Sequence, residues 1–368
     1  MPHTSTPSRR MLLRGLAAGA GAGLLPSGAP AAAAERPPSE AISIGVQPIA
    51  HFARGRPGLK RFGDLEFRGG VVLTSPSSAF GGWSALAMEA DGSGLLAISD
   101  AGSWLTAGVS YREGVLSGLD NAHLGPLLGS DARPLRGLRE HDAESVALLD
   151  GTLSHGALII GFERHHRIGR FAIRDRQVLA QTGTLALPPD ARGMYSNQGI
   201  EALTTLKAGP LKGSIVAFAE RLTRGSGYHT GWIWVRGISQ RIQLRDIDGF
   251  NITDAAGLPD GGLLVLERFF RWTEGLRVRI RRLQPDEISA GARVTGHTVM
   301  EADLTYEIDN MEGLAVHRDR NGDTIVSLIS DDNFNHFLQR TILLQFALID
   351  DGRRSTRQTD AARIASTG

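Results

Sequence analysis

The chain has 368 residues, of which 41% are hydrophobic and 21% charged, with 46 glycines and a formal net charge of +1. The near-neutral balance removes the electrostatic case for nucleic acid or an anionic membrane surface as partner, and the absence of cysteine excludes disulfides and thiolate metal sites. What is left is an ordinary globular composition, rich in the glycine that β-turns require.

At the N-terminus Ser8, Arg9, Arg10, Met11, Leu12, Leu13 and Arg14 match the twin-arginine export pattern. A weakly apolar Ala/Gly/Leu run follows to Leu25, and Ala31 to Ala34 form a small-residue cleavage site. Residues 1–34 are therefore expected to be a signal peptide whose partner is the twin-arginine export machinery. The mature protein is expected in the periplasm or secreted, with no membrane attachment after processing. The mature chain opens with strand-like residues 42–49, and residues 64–74, DLEFRGGVVLT, alternate and are expected to turn at Gly69-Gly70. Residues 102–134 and 285–291 are irregular enough to hold short helical insertions. Residues 341–348, TILLQFAL, supply a C-terminal strand, and the polar residues 351–368 read as a disordered tail. Residues 35–350 are then one folded region.

Within that region one pattern recurs. Residues 310–331, NMEGLAVHRDRNGDTIVSLISD, read as a β-hairpin: an apolar strand, turn chemistry at Asp319, Asn321, Gly322 and Asp323, and a β-branched return strand. Glu312 opens it and Asp331 closes it, so both carboxylates should emerge on one edge. Weaker copies place Ser84 and Asp100, Glu144 and Glu163, Glu201 and Glu220, and Thr253 and Glu267 in the same two positions. The steps between Ser84, Glu144, Glu201, Thr253 and Glu312 are 60, 57, 52 and 59 residues. Such a period, with half-exposed strands such as residues 167–173, 231–235 and 277–283 between hairpins, is that of propeller blades of about four strands. The expectation is an all-β chain forming a single closed β-propeller, with five hairpin blades and a sixth shared by N- and C-terminal strands.

With the first strand of each hairpin innermost, one channel mouth carries Asp100, Glu144, Glu163, Glu201, Glu220, Glu267, Glu312 and Asp331, with Arg164, Arg221 and Arg268 directly after three of them. Carboxylates so crowded require a counter-charge, and oxygen-only ligands suit a hard divalent ion such as Ca²⁺. His165 and His336 fall at the channel ends of strands, where a general base or phosphate contact could sit; His141 and His166 are neighbouring candidates. The bland alternative is that each acid caps its hairpin or pairs with a neighbouring arginine. Residues 319–323 begin like a calcium loop, but Ser330 occupies its twelfth position, so a turn is the better reading. No serine nucleophile elbow, phosphate loop, zinc-protease motif or dinucleotide fingerprint is present.

The blocks GDLEFRGGVVLTSPSSAFGGWSALAMEADGSGLLAISDAG, HDAESVALL, ALIIGFERHHRIGRF, NQGIEALTTL, GSIVAFAER, LPDGGLLVLER and NMEGLAVHRDRNGDTIVSLISDDNF resemble the bacterial phytase-like family, described as having esterase-like activity of phytase, from about Gly63 to Leu348. The resemblance implies a β-propeller and an exported phosphoester or carboxylester hydrolase, and it supplies no established catalytic set. Thr253-Asp254 departs from the Glu-Gly of the blade pattern, so one side of the mouth should be lined differently. On this reading Asp100, Glu144, Glu201, Glu312 and Asp331 hold Ca²⁺; Glu201, Glu312, His165 and His336 are the catalytic candidates; and Arg164, Arg221 and Arg268 orient a small anionic or ester substrate. A non-catalytic periplasmic binding propeller and a lactonase-like enzyme with one calcium deep in the channel are the competing readings.

Overall fold

The computed structural model describes residues 39–194, 198–220 and 227–349. The signal peptide read at 1–34, the tail read at 351–368 and Arg221 lie outside the described residues. Each apolar run between glycine turns becomes a strand, and each repeat becomes the two innermost strands of one blade. Blade 1 comprises Trp83–Met88, Gly94–Ser99, Ser103–Arg112 and Val115–Pro126, with Glu40–Ala41 on its outer edge. Blade 2 comprises Ala143–Gly151, His155–Phe162, Arg167–Arg174 and Gln177–Leu185. Blade 3 comprises Ile200–Thr205, Ile215–Ala219, Tyr228–Val235 and Ile238–Arg245, extended by the short parallel strand Arg293–Val294. Blade 4 comprises Asn251–Gly257, Leu263–Arg271, Gly275–Leu283 and His297–Asp303.

Blade 5 corrects the expected count. Its first three strands are Met311–Arg318, Thr324–Ser330 and Thr341–Leu348, and its outer strands, Leu65–Thr74 and Gly45–Ile49, come from the other end of the chain. The strand Thr341–Leu348 thus continues the fifth hairpin instead of founding a sixth blade, and the propeller has five blades. The strand Leu65–Thr74 also runs straight through Gly69-Gly70, absorbing the expected turn as an irregularity with Gly69 at φ +107°. Residues 102–134 hold a long antiparallel strand pair in place of helices, and residues 285–291 hold turns. Among the described residues the helical elements are Leu138–His141 and the 3₁₀ turn Pro189–Gly193.

Among the described residues no sheet closes on itself through hydrogen bonds; the ring closes by packing. The inner strands contact one another in cyclic order, the last against the first. Each of the five apolar clusters lies between two neighbouring blades: Trp104 and Ile98 of blade 1 against Phe162 and Val146 of blade 2, Trp232 of blade 3 against Ile159 of blade 2, and Ile329 and Leu343 of blade 5 against Leu86 and Leu95 of blade 1. Burial of each such side chain is worth about 1.5–3 kcal/mol. Polar staples cross the same seams. The Ser145 hydroxyl donates to the Ile200 carbonyl (2.7 Å), Gly257 N donates to Thr204 Oγ1 (3.0 Å), Leu314 N donates to Asp254 Oδ2 (2.7 Å) and Gly82 N donates to Asp332 Oδ1 (3.0 Å). His141 Nδ1 lies 3.0 Å from the Asp100 carbonyl at the remaining seam. Burial pushes the Asp254 carboxyl well above its ordinary 3.8, against the N–H groups of Leu314 and Ala255.

At the far end of the inner strand of blade 5, His317 packs over Gly92 of blade 1, where a Cβ would meet its Nε2 at 2.4 Å. Burial lowers the His317 pKa from 6.5 to about 4, opposed by the nearby Asp319 and Asp91. The folded state therefore holds a neutral imidazole that the unfolded chain protonates more readily. Stability from this group is complete above pH 6.5 and is lost as pH falls from 6.5 through about 4, a change of about 3 kcal/mol. His317→Asn is expected to flatten the pH dependence of the urea midpoint in that window; an unchanged slope would contradict the assignment.

Candidate functional site

Every inner strand opens on a β-bulge. The antiparallel register skips one residue between Trp83 and Ala85, Ala143 and Ser145, Ile200 and Ala202, Ile252 and Asp254, and Met311 and Gly313. The residues left over are Ser84, Glu144, Glu201, Thr253 and Glu312, the same positions that mark the sequence period. A bulge bends its strand and re-aims the extra side chain, so the repeat is a conserved kink in geometry, with varying chemistry mounted on it. Two residues earlier stand Gly82, Asp142, Gly199, Asn251 and Asn310. Four of their carbonyls accept the N–H of the residue that ends the second strand: Asp100 (3.0 Å), Glu163 (2.8 Å), Glu220 (3.1 Å) and Asp331 (2.9 Å). In blade 4 the partner of Asn251 is Arg268.

Each blade thus presents a leading, a bulged and a returning residue at one end of the ring. Blade 1 offers Gly82, Ser84 and Asp100; blade 2, Asp142, Glu144 and Glu163; blade 3, Gly199, Glu201 and Glu220; blade 4, Asn251, Thr253 and Arg268; blade 5, Asn310, Glu312 and Asp331. Gly199 packs closely on blade 2, since a Cβ there would lie 3.0 Å from both Cα and Cγ of Glu163. Blade 4 is again the exception. The sequence reading placed Glu267 at the mouth, but Glu267 pairs with Ile252 and sits one residue short of the returning position. Successive strand residues face opposite ways, so Glu267 turns into the blade seam and is fully buried against Arg281.

Arg281 donates to both carboxylate oxygens of Glu267 and to the carbonyls of Arg245 (2.9 Å) and Thr295 (2.8 Å). Burial raises the Glu267 pKa, and the bonds from Arg281 oppose that rise. The strand RVRIRRL, read as half-exposed, in fact buries Arg279 as well, between Glu301 and Asp248.

Among the described residues, Asp142, Glu144 and Glu163 are buried and bring carboxylate oxygens within 4.8 Å of one another, and no second group of this kind is present. Arg164, whose φ is +59°, turns back to ion-pair with Asp142. Three converging carboxylates are a donor set that suits an oxygen-seeking divalent cation. The corresponding set in blade 5 includes an amide and reaches an arginine of blade 4. Asn310 Nδ2 donates to Glu312 Oε1 (2.9 Å) and Asp331 Oδ2 (3.4 Å), and Arg268 bonds the Asn310 side chain and lies 3.4 Å from Glu312. In blade 3, Asn251 Nδ2 donates to Glu220 Oε1 (3.0 Å) while Glu201 stays half-buried.

The residues expected to share one ion therefore divide. Glu144 joins the blade 2 cluster, Glu312 and Asp331 share Asn310, and Asp100 and Glu201 stand half-buried on blades 1 and 3. His165 is 62% exposed with Nδ1 3.1 Å from Glu140, and His336 is 61% exposed with Nδ1 3.1 Å from Asp332. Asp142 was missing from the expected ligands. Its signal was the polar residue two places before the bulge, which Asn251 and Asn310 repeat in blades 4 and 5 and glycine replaces in blades 1 and 3.

The model of the phytase-like family, described as esterase-like activity of phytase, matches residues 78–334. No curated protein matches the chain. Among solved structures, a mutant of AofleA from Arthrobotrys oligospora is 10% identical, with 78% of this chain and 83% of that chain covered at a TM-score of 0.35. The endo-arabinase from Bacteroides thetaiotaomicron VPI-5482 is 11% identical, with 75% and 97% covered at a TM-score of 0.45. Likenesses of this size add nothing to the functional reading.

Arg281→Ala would leave Glu267 buried without a counter-charge and is expected to destabilise the fold by about 3–5 kcal/mol in denaturant unfolding. The paired replacement Glu267→Leu with Arg281→Met is expected to recover most of that loss, which marks the pair as architectural.

Proposed function

Because the chain belongs to the phytase-like family, we propose that it is an exported hydrolase of phosphate or other small esters whose blade 2 carboxylates hold Ca²⁺. The observation that carries this reading is the convergence of three buried carboxylates in blade 2, where the same positions of blade 5 include the amide of Asn310. Asp142, Glu144 and Glu163 would be the ligands. Calcium bound there would acidify a water molecule and neutralise charge on a substrate oxygen. Arg164 holds Asp142 in position. Glu201, the bulged residue of the adjoining blade 3, is the candidate to accept a proton. Export would follow from the twin-arginine signal at Ser8 to Arg14.

A second reading has its own support. Asn251 on Glu220, and Arg268 on Asn310 and Glu312, join neighbouring blades as staples. If all the acids serve in this way, the protein is a binding propeller without catalysis.

Calorimetric titration of the signal-free, chelator-stripped protein separates the two, combined with a phosphate and carboxylate ester screen with and without Ca²⁺. Glu144→Gln and Glu163→Gln are each expected to weaken calcium binding at least about tenfold and to reduce metal-dependent turnover with it. Glu312→Gln is expected to leave the calcium affinity unchanged. Wild-type calcium affinity in Glu144→Gln would sink the assignment.

A further inference from the structure

Of the eleven large apolar side chains exposed among the described residues, six stand at the mouth end of blades 4 and 5: Phe270, Trp272, Leu304, Phe334, Phe337 and Leu338. The second strand of blade 4 passes the mouth residue Arg268 and runs on to Arg271, which carries Phe270 and Trp272 beyond the end of the ring. Leu304 lies beside the tip of this hairpin, with its Cδ1 3.8 Å from where a Cβ on Gly275 would stand. Phe334, Phe337 and Leu338 belong to the loop that follows Asp331 in blade 5. Arg340, at the end of that loop, ion-pairs with Glu307 (3.0 Å), and its N–H donates to Asp309 Oδ2 (3.2 Å), in the connection that carries Leu304. The two groups of apolar side chains are thus joined across one seam.

The blade 5 loop is held in place at the expense of its backbone. Asn333 and Phe334 stand at φ +50° and +52°, a left-handed conformation that is an outlier for an aromatic residue. Such strain persists only where the surroundings over-determine it. Here Asp332 Oδ1 accepts the N–H groups of Phe334 and Gly82, each at 3.0 Å, and its Oδ2 accepts the Thr341 hydroxyl at 2.8 Å. The result lays the Phe334 ring against the mouth of blade 1, where a Cβ on Gly82 would lie 2.6 Å from Phe334 Cε2 and 2.5 Å from Asp100 Oδ1. Apolar surface therefore begins directly beside the polar ring. Phe337 and Leu338, 94% and 70% exposed, extend it on blade 5, and Trp272, 80% exposed, stands on the blade 4 side of the seam.

An exposed apolar surface rimmed by polar groups marks a binding site, and the charges around this one narrow its occupant. Arg271 is paired with Glu274 (3.0 Å) and Arg340 with Glu307, so no basic face is offered to an anionic bilayer. Continuity through Phe334 with Gly82 and Asp100 joins the surface to the same end of the ring as the blade 2 carboxylates. A mouth that is carboxylate on one side and apolar on the other matches a small molecule with a polar head and a hydrocarbon part.

We propose that this apolar shelf on blades 4 and 5 binds the hydrocarbon part of the substrate, so that the preferred esters carry an alkyl or aryl group. Its place in turnover rests on the hydrolase reading, whereas its affinity for hydrocarbon rests on the shelf alone. Each methylene laid on it should tighten binding by about twofold to fourfold, according to how completely it is covered.

The test pairs binding with turnover. Calorimetry of the mature, calcium-loaded protein follows ethyl-, butyl- and octylphosphonate in the wild type, in Phe337→Ser/Leu338→Ser, in Trp272→Ser and in the conservative Phe337→Leu. These positions are exposed, so folding should survive the changes. The expected result is affinity that rises with chain length in the wild type. Octylphosphonate binding should weaken tenfold or more in Phe337→Ser/Leu338→Ser and less in Phe337→Leu, with ethylphosphonate binding and calcium titration unchanged. For monoalkyl phosphates and 4-nitrophenyl carboxylates of the same chain lengths, KM should fall along the series in the wild type and lose that dependence in the double variant. Equal binding of ethyl- and octylphosphonate, or an undiminished gain with chain length in the double variant, overturns the shelf. Chain-dependent binding without a chain-dependent KM overturns its link to substrate. Chain-dependent binding in a protein that turns over no ester overturns the hydrolase reading and leaves a hydrocarbon-binding site. Concentration-dependent dimers that the double variant abolishes, with no gain from chain length, would make the shelf a contact between copies and overturn the proposal.

Discussion

A blade of this protein cannot bury its own apolar faces. Each sheet has an apolar surface on both sides, and the apolar clusters lie in the seams, so that every blade is half of two cores. This constraint explains why the ring closes without a strand ladder between sheets. A missing blade would expose two seams at once, which ties the stability of all five together.

The polar ring follows from the same packing. Inner strands crowd the axis, and each is bent at its start by a bulge that places one side chain outside the regular alternation. Because the bend is repeated, five sets of three residues face a common end of the molecule. What distinguishes the sets is charge. Blade 5 sets its acids beside an amide and an arginine, blade 4 has that arginine in place of an acid, and among the described residues blade 2 alone brings three carboxylates together. The proposed function is placed on the blade where three carboxylates converge.

Much of this was legible in the sequence. The periodic positions that were read as hairpin starts fall on the bulges, and the glycine-punctuated apolar runs located nearly every inner strand. The blade count failed because a strand such as residues 341–348 carries no mark of which sheet it joins; only its pairing with Ile329 and Val71 shows that it extends the fifth hairpin. Glu267 was misplaced by one residue, which on a strand reverses the direction of the side chain. His165 and His336 lie near the predicted end of the ring, but spacing along a chain says nothing of exposure, and both lie largely in solvent.

The first described residues have a temporal consequence. Glu40–Ala41 pairs with the outer strand of blade 1, while Gly45–Ile49 and Leu65–Thr74 complete blade 5. During synthesis Leu65–Thr74 is made long before its partner Thr341–Leu348. Until that partner is made, the strand that seals the fifth blade has nothing to pair with. Closure of the ring is thus a late and long-range step, of the kind that slows folding.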